Sequence, residues 1–390
     1  MKLTNYGYTI YASYVGYICQ AIINNFAPLL FLTFQSDYGL SLQRITLITT
    51  VNFLVQLGVD LLSARFVDKI GYRTCLIAAH VFGAVGLVSM ALLPDVLDPY
   101  AGLLIAVVLY AIGGGIIEVL ISPVVEACPT EKKEAAMSLL HSFYCWGHVA
   151  VVLLSTLFFH LAGIANWKVL ACLWALIPAA NAVYFARVPL YPITAEHEKL
   201  SLGGLLRQKV FWLLIVMMVC AGASEQAVSQ WVSAFAESAL HISKTAGDLL
   251  GVCVFAVMMG TARAIYGKFS DRIPLKRMML LSAGLCILCY ILAAFTGSPV
   301  LGLVGCGLCG FSVGIFWPGT FSMAALALPK GGTAMYALMA LAGDLGCASG
   351  PTVVGLAADS TGGDLRFGIG AAMLFPIVML LSVSVMKHKT

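Results

Sequence analysis

The chain has 390 residues, of which 61% are hydrophobic and 10% charged, with a formal net charge of +4, and its mean hydropathy is +0.95. A soluble domain carries roughly 25% charged residues. No soluble core hides this much apolar surface, so the sequence requires lipid as its solvent. The modest basic excess serves topology, as described below, which excludes a nucleic-acid partner.

A spanning helix needs about 20 apolar residues, and the chain supplies twelve such runs joined by short loops, an all-α polytopic pattern. The first, Tyr8 to Leu32, is followed by no small-residue cleavage site and reads as a span and not as a signal peptide. It carries Gln20, Asn24 and Asn25, and the first two share a helix face. The second, Arg44 to Val67, carries Asn52, Gln56 and Asp60 at four-residue steps. Amides facing lipid are costly, so these stripes are expected to face protein or a water-filled cavity. Interhelical hydrogen bonding within a bundle accounts for them equally well.

A short charged turn follows, in which Gly71 lets the chain reverse. The stretch Gly58 to Leu76 reads GVDLLSARFVDKIGYRTCL, and it has an echo at Thr261 to Leu280, TARAIYGKFSDRIPLKRMML. In register, Ala64 matches Gly267, Phe66 matches Phe269, Asp68 matches Asp271, Lys69 matches Arg272 and Arg73 matches Lys276, while Asp60 sits opposite Arg263. A duplicated unit of about half the chain points to a two-halved transporter. The turn resembles the signature that the major facilitator superfamily carries between its second and third helices. Here it is made by Ala64, Asp68, Lys69, Gly71 and Arg73, with Ala where Gly is usual. The second copy has Gly267, Asp271, Arg272, Lys276 and Arg277, with Pro274 at the Gly position. The resemblance covers the whole chain and implies the major facilitator fold, with twelve transmembrane helices in two pseudo-symmetric six-helix bundles. It also implies a part in cytoplasmic-side switching for Asp60, Asp68, Lys69, Gly71, Arg73, Arg263, Gly267, Asp271 and Arg272.

The third and fourth spans are Arg73 to Leu93 and Tyr100 to Glu126; the fourth holds Gly113, Gly114 and Gly115, then Glu118. The fifth, Ala135 to Leu161, has His141 and His148 nearly on one face, with Tyr144 between them. The sixth runs from Lys168 to Arg187. A polar stretch over 188–209 joins the halves, so the expected domains are 1–187 and 210–390 around that cytoplasmic linker. The seventh span, Val210 to Glu237, carries Glu225, Gln226, Gln230 and Trp231, and the eighth, Ala246 to Ser270, carries Arg263. Spans nine to twelve are Lys276 to Phe295, Val300 to Met323, Gly332 to Ala357 and Phe367 to Met386. The tenth holds Trp317-Pro318, where a proline can kink the helix, the eleventh holds Asp344, and the twelfth is plain.

With the N-terminus inside, about seventeen of the 22 Lys and Arg fall in cytoplasmic segments, against Arg44, Lys168, Lys244 and Arg366 outside and Arg263 within a span. That asymmetry places both termini in the cytoplasm. No N-x-Ser/Thr acceptor is present, which favours a prokaryotic inner membrane. Nearly all twelve Cys lie inside apolar runs, where they read as small buried hydrophobes. Cys286, Cys289, Cys306 and Cys309 have zinc-ribbon spacing. They sit in spans without basic neighbours, so packing explains them, and neither a metal nor a cofactor is expected.

Three carboxylates lie deep in spans: Glu118, Glu225 and Asp344. Such groups are protonated, hydrated or functional, and with His141, which lies about as far as Glu118 from the intervening loop, they are the proton-coupling candidates. Gln20, Asn24, Asn25, Gln226, Gln230 and His148 supply donors and acceptors, and Tyr144, Trp146, Trp231 and Trp317 supply flat apolar faces. Amides for hydroxyls and rings for a pyranose face suit a neutral sugar, and no midplane Arg or Lys is offered to an anion. GGGIIEVLISP and GASEQAVSQWVSAFAE are similar to the fourth- and seventh-helix stretches of fucose-permease-like sugar:proton symporters. That resemblance makes Glu118 the proton-coupling residue and Glu225 and Trp231 pocket residues. Asn24 stands where the fucose permease has an acid.

The leading reading is therefore a monomeric, proton-coupled symporter of a small neutral hydroxylated solute, a sugar, with the site at the midplane between two rocking bundles. Sodium stays open as the coupling ion. The alternative is an antiporter exporting cationic or amphipathic compounds, since acids with Trp and Met surfaces also suit a cation. His141 and His148 come with no nucleophile or metal set, so an enzyme is not expected.

Overall fold

A computed structural model describes residues 5–40, 42–192, 200–232, 251, 253–270, 272–362 and 364–386. Every element is helical, and there is no strand among the described residues. Among the described residues, ten helical stretches are long and apolar enough to cross a membrane. Their outward surfaces are apolar: Leu61, Leu92, Leu176, Leu281 and Leu381 are each more than 45% exposed. Isolated exposed Leu residues are ordinary, but rows of them along span after span are the lipid face of a membrane protein.

The chain divides into two compact units, Met1–Pro129 with Phe143–Ile193, and Thr130–Ser142 with Thr194–Thr390. The first holds α1 (Tyr6–Asn25), α2 (Phe31–Tyr38), α3 (Leu42–Ile70), α4 (Tyr72–Val96), α5 (Pro99–Glu126), most of α6 (Lys133–Ala162) and α7 (Trp167–Phe185). The second holds the opening turns of α6, the short α8 (Leu202–Leu206), α9 (Lys209–Ser229) and α10 (Cys253–Phe269). It continues with α11 (Leu275–Phe295), α12 (Pro299–Val313), α13 (Phe316–Ala327), α14 (Gly332–Asp359), α15 (Leu365–Ala372) and α16 (Leu374–Val385).

Local sequence explains the helix starts. Asp98 and Ser298 each cap a helix whose first residue is proline, their side chains accepting from Ala101 N at 3.0 Å and Leu301 N at 3.4 Å. Proline at this position costs no hydrogen bond and is already set to the helical φ. Asn5 caps α1 in the same way, through Gly7 N at 2.9 Å.

Three expected continuous spans are broken, each one turn before a proline or at one. A proline has no N–H for the carbonyl four residues back, and its ring crowds that carbonyl. The first span gives way at Pro28, where a 3₁₀ turn over Ala27–Leu30 separates α1 from α2. The tenth breaks between Val313 and Phe316, ahead of Pro318. The twelfth breaks at Met373, ahead of Pro376.

The sequence echo reappears as equivalent contacts in the two units. Arg73, at the start of α4, donates to the carbonyls of Phe185 at 2.7 Å and Val188 at 2.9 Å, closing the C-terminal end of α7. Lys276, its counterpart on α11, donates to the carbonyls of Ser384 at 3.2 Å and Met386 at 2.6 Å, at the end of α16. A cation there meets both the open carbonyls and the negative end of the helix dipole. Lys69 lies 5.9 Å from the Phe66 ring, and Arg272 lies 5.5 Å from the Phe269 ring. Gly71 has φ +95°, which the reversal at the first turn requires.

In the second unit α9 and α14 touch backbone to backbone. A Cβ at Gly346 would collide with the carbonyl oxygen of Val219, and one at Gly222 with that of Gly343. Small residues that let backbones meet are a main source of helix association in lipid. Gly346→Val is expected to lower the thermal midpoint of the purified protein sharply. Gly284→Ala, where a Cβ meets nothing within 4 Å, is expected to leave it unchanged or raise it by about 0.5–1 kcal/mol of stability. Equal behaviour of the two variants in a thermal-melt comparison would remove the α9–α14 contact as a source of stability.

Candidate functional site

In the first unit three helices bring polar side chains together as a ladder. On α1, Tyr17, Gln20 and Asn24 recur at steps of three and four and so share a face. Opposite them on α5, Gly114, Glu118 and Ser122 recur at steps of four. Tyr17 Oη and Ser122 Oγ lie 3.0 Å apart, and Gln20 Nε2 donates to Glu118 Oε2 at 2.7 Å. At the next level α3 enters: Gln56 Nε2 donates to Asn24 Oδ1 at 2.8 Å and to Asn52 Oδ1 at 3.1 Å. Asn52 Nδ2 approaches Asn24 Oδ1 at 3.4 Å. Gly114 makes room for this, since a Cβ there would lie 3.2 Å from Gln56 Nε2. Gln20, Asn52 and Gln56 are buried, whereas Asn24 and Glu118 are half-buried. Asn25 donates to the carbonyl of Ala21 in its own helix at 2.8 Å.

Asp60, one turn beyond Gln56, is fully buried, while Asp68 is exposed. On α6, Tyr144 and His148 are half-buried and Trp146 is 38% exposed. Neither Asn52 nor Gln56 stood among the expected site residues, although their four-residue step was the signal that could have included them.

The second unit is built around a buried cation. Arg263 on α10 is 3% exposed, and its three guanidinium nitrogens reach three different elements. Nε donates to the Gly314 carbonyl at 2.7 Å, Nη1 to the His141 carbonyl at 2.9 Å, and Nη2 faces Glu225 Oε2 at 3.5 Å. The first bond follows from sequence. Pro318 cannot donate to Gly314, four residues earlier, and Arg263 takes the carbonyl that is left. The ion pair with Glu225 is long and buried, so desolvation offsets much of its attraction and it adds little to stability.

Beside it, Gln226 Nε2 lies 3.5 Å from Glu225 Oε1 and Gln230 Nε2 lies 3.4 Å from Gln226 Oε1, making a chain of amides along α9. Trp231 donates to the Pro351 carbonyl of α14 at 3.2 Å. The Trp317 ring packs over Gly343 and lies 6.3 Å from Phe321, which in turn lies 5.8 Å from the His141 ring and 5.5 Å from Tyr336. Asp344 is half-buried on α14. Asp271 lies outside the described residues. Glu118 thus belongs to the ladder of one unit, and the His141 ring to the aromatic column of the other.

Among the described residues no three His, Cys, Asp or Glu side chains gather as a metal-binding group. Cys286, Cys289, Cys306 and Cys309 are free thiols buried on α11 and α12. What the two clusters place within spans is amides, hydroxyls and carboxylates, in hydrogen-bonded contact with one another.

The model of the Major Facilitator Superfamily matches residues 13–351 and 238–389. The structure is similar to FucP, a transporter of that superfamily, in its outward conformation, with a TM-score of 0.83, 16% identity, and 96% of this chain and 97% of that chain covered. It is similar to the proton:xylose symporter XylE bound to 6-bromo-6-deoxy-D-glucose, with a TM-score of 0.80, 12% identity, and 97% and 94% of the two chains covered. A bacterial homologue of the iron transporter ferroportin matches with a TM-score of 0.76, 14% identity, and 96% and 99% covered. At these identities the likeness is one of fold. No curated protein matches the sequence. Twelve spans, a duplicated charged turn and a family match along nearly the whole length agree, and the chain belongs to the Major Facilitator Superfamily, with that family's two-bundle helical fold.

Proposed function

We propose that the protein is a secondary active transporter carrying a small neutral, hydroxyl-rich solute, a sugar, in symport with protons by alternating access. The observation that carries this reading is the make-up of the first unit's ladder. It holds one carboxylate, four amides and two hydroxyls, and neither α1 nor α5 contains a Lys or Arg. A hydroxyl both donates and accepts, and an amide answers both. An anionic cargo calls for positive charge, and the one buried cation among the described residues, Arg263, already serves three acceptors.

Glu118 is the proton-coupling residue in this reading. Its partner Gln20 is a neutral amide, which can donate to a carboxylate or accept from a carboxylic acid. Glu225, His141 and Asp344 are the second unit's contributors, and Gln226, Gln230, Trp231 and Trp317 its side of solute recognition. The coupling ion is the proton in preference to sodium. The protein acts as a monomer in a prokaryotic inner membrane with both termini cytoplasmic, and it performs no catalysis. Two fold neighbours are named as proton symporters of sugars, which supports the reading, and a third is named for iron.

A second reading, proton-coupled export of a cationic or amphipathic compound, is favoured by the half-buried acids Glu118 and Asp344 and by the Trp317–Phe321–Tyr336 column. A thermal-shift panel separates the two. Neutral hexoses and pentoses are expected to raise the melting temperature, because a ligand at about 100 times its Kd adds roughly 2.7 kcal/mol; stabilisation by quaternary ammonium compounds alone would favour export.

Gln56→Leu is expected to weaken solute binding about 5- to 150-fold, since about 1–3 kcal/mol is lost when a buried polar partner is removed; unchanged affinity by titration would take the ladder out of solute recognition. Glu118→Gln is expected to abolish solute accumulation driven by a pH gradient in proteoliposomes while counterflow exchange persists. Undiminished accumulation in that variant would transfer the coupling role elsewhere.

A further inference from the structure

We infer that α8 is an interfacial foot: it lies at the surface of the bilayer, sets its exposed leucines against the acyl chains, and binds the headgroup of an anionic phospholipid through Arg207 and Lys209. The inference rests on the membrane-spanning fold and not on the solute assigned above.

The segment is held in place by its own unit. Leu200 N donates to the Lys330 carbonyl, in the turn between α13 and α14, at 2.9 Å, and Ser201 caps α8 by accepting from Gly204 N at 3.1 Å. Leu205 is fully buried, and α8 packs on α9. At its far end the Trp212 indole donates to the Leu206 carbonyl at 2.8 Å, taking one of the carbonyls that a helix end leaves open.

That bond gives the depth. Trp212 lies in the first turn of α9, where a span meets the bilayer surface, and a tryptophan at that level sits at the boundary of headgroups and acyl chains. Its bond to Leu206 carries α8 to the same level. Leu202 and Leu206 are four apart and so share a face. They are 47% and 40% exposed, and Trp212 is 53% exposed. A single exposed leucine is ordinary; here there are two on one face, with an indole bonded to the second. The occupant is the lipid that already borders α9, whose Trp212 and Val216 are exposed one turn apart.

The charge next to this face selects among lipids. Arg207 and Lys209 follow it at once and are exposed, and the sequence from Ser201 to Ser224 holds no Asp or Glu. Apolar side chains beside bases make an interfacial anchor for anionic lipid. The planar guanidinium of Arg207 suits two phosphate oxygens at once, and Lys209 adds a point charge. The end of the linker that enters the second unit is thereby fixed to the bilayer.

Hydrogen–deuterium exchange of the full-length protein tests this, in phosphatidylcholine nanodiscs with and without phosphatidylglycerol and without solute. Each base near an anionic surface is worth about fivefold. Phosphatidylglycerol is therefore expected to slow amide exchange in peptides covering 200–208 about 10- to 25-fold, with peptides covering 275–295 unchanged. Arg207→Gln with Lys209→Gln is expected to lose the slowing, and Arg207→Lys to keep it. Inorganic phosphate added to phosphatidylcholine nanodiscs is expected to have no effect. Lipid brominated high on its acyl chains is expected to quench the part of the tryptophan fluorescence that Trp212→Phe removes. Equal exchange in the two lipids overturns the inference, as does slowing that survives in the double variant, slowing by phosphate alone, or an unquenched Trp212. A lipid effect spread evenly over both units would mark general stabilisation and overturns it too. None of these results bears on whether a sugar is carried, because no solute is present.

Discussion

A proline in the tenth span leaves a carbonyl without its donor, and a buried arginine from a neighbouring helix takes it. Much of the second unit's polar architecture follows from that exchange. In hydrocarbon an open carbonyl costs several kcal/mol, so Pro318 at its position demands a donor at Gly314. Arginine supplies one nitrogen and brings two more, together with a charge that must itself be accommodated. Glu225, the amides behind it and the His141 carbonyl are the accommodation.

The two units solve a common problem with shared parts and differ in their polar interiors. Arg73 and Lys276 close the ends of α7 and α16, and Lys69 and Arg272 sit over Phe66 and Phe269. At the position where the two copies diverge most, Asp60 stands opposite Arg263, both of them buried. A ladder of amides around one carboxylate characterises one unit and a cation-centred knot the other.

The helices, the duplicated turn and the family were legible because hydropathy, charge placement and repetition are carried by the chain itself. The breaks at Pro28 and Pro376 were less so: a proline says where a helix is weakened, but neighbouring donors decide whether it bends or breaks. The site was legible as a set of residue types and less as a set of partners. Gln20 and Asn24 share a face by their spacing, but that α3 would present Asn52 and Gln56 to that face depends on helix rotation, which hydropathy does not encode. Trp146 and Trp317 look alike in sequence, yet one is exposed on α6 and the other is packed over Gly343. The grouping of Thr130–Ser142 with the second unit has no local signature, because its donors lie more than a hundred residues away.

That last feature bears on how the polypeptide is made. As the ribosome extends the chain, α7 emerges with its cap, Arg73, already in the bilayer, so the first unit can finish its own helix ends early. The opening turns of α6 are different: Tyr266 and Arg263, to which Glu134 and Ser138 bond, have yet to be translated. Until α10 is inserted, Glu134 and Ser138 must be kept by water, lipid headgroups or the insertion machinery, and membrane assembly of this chain has a step that its N-terminal half cannot complete alone.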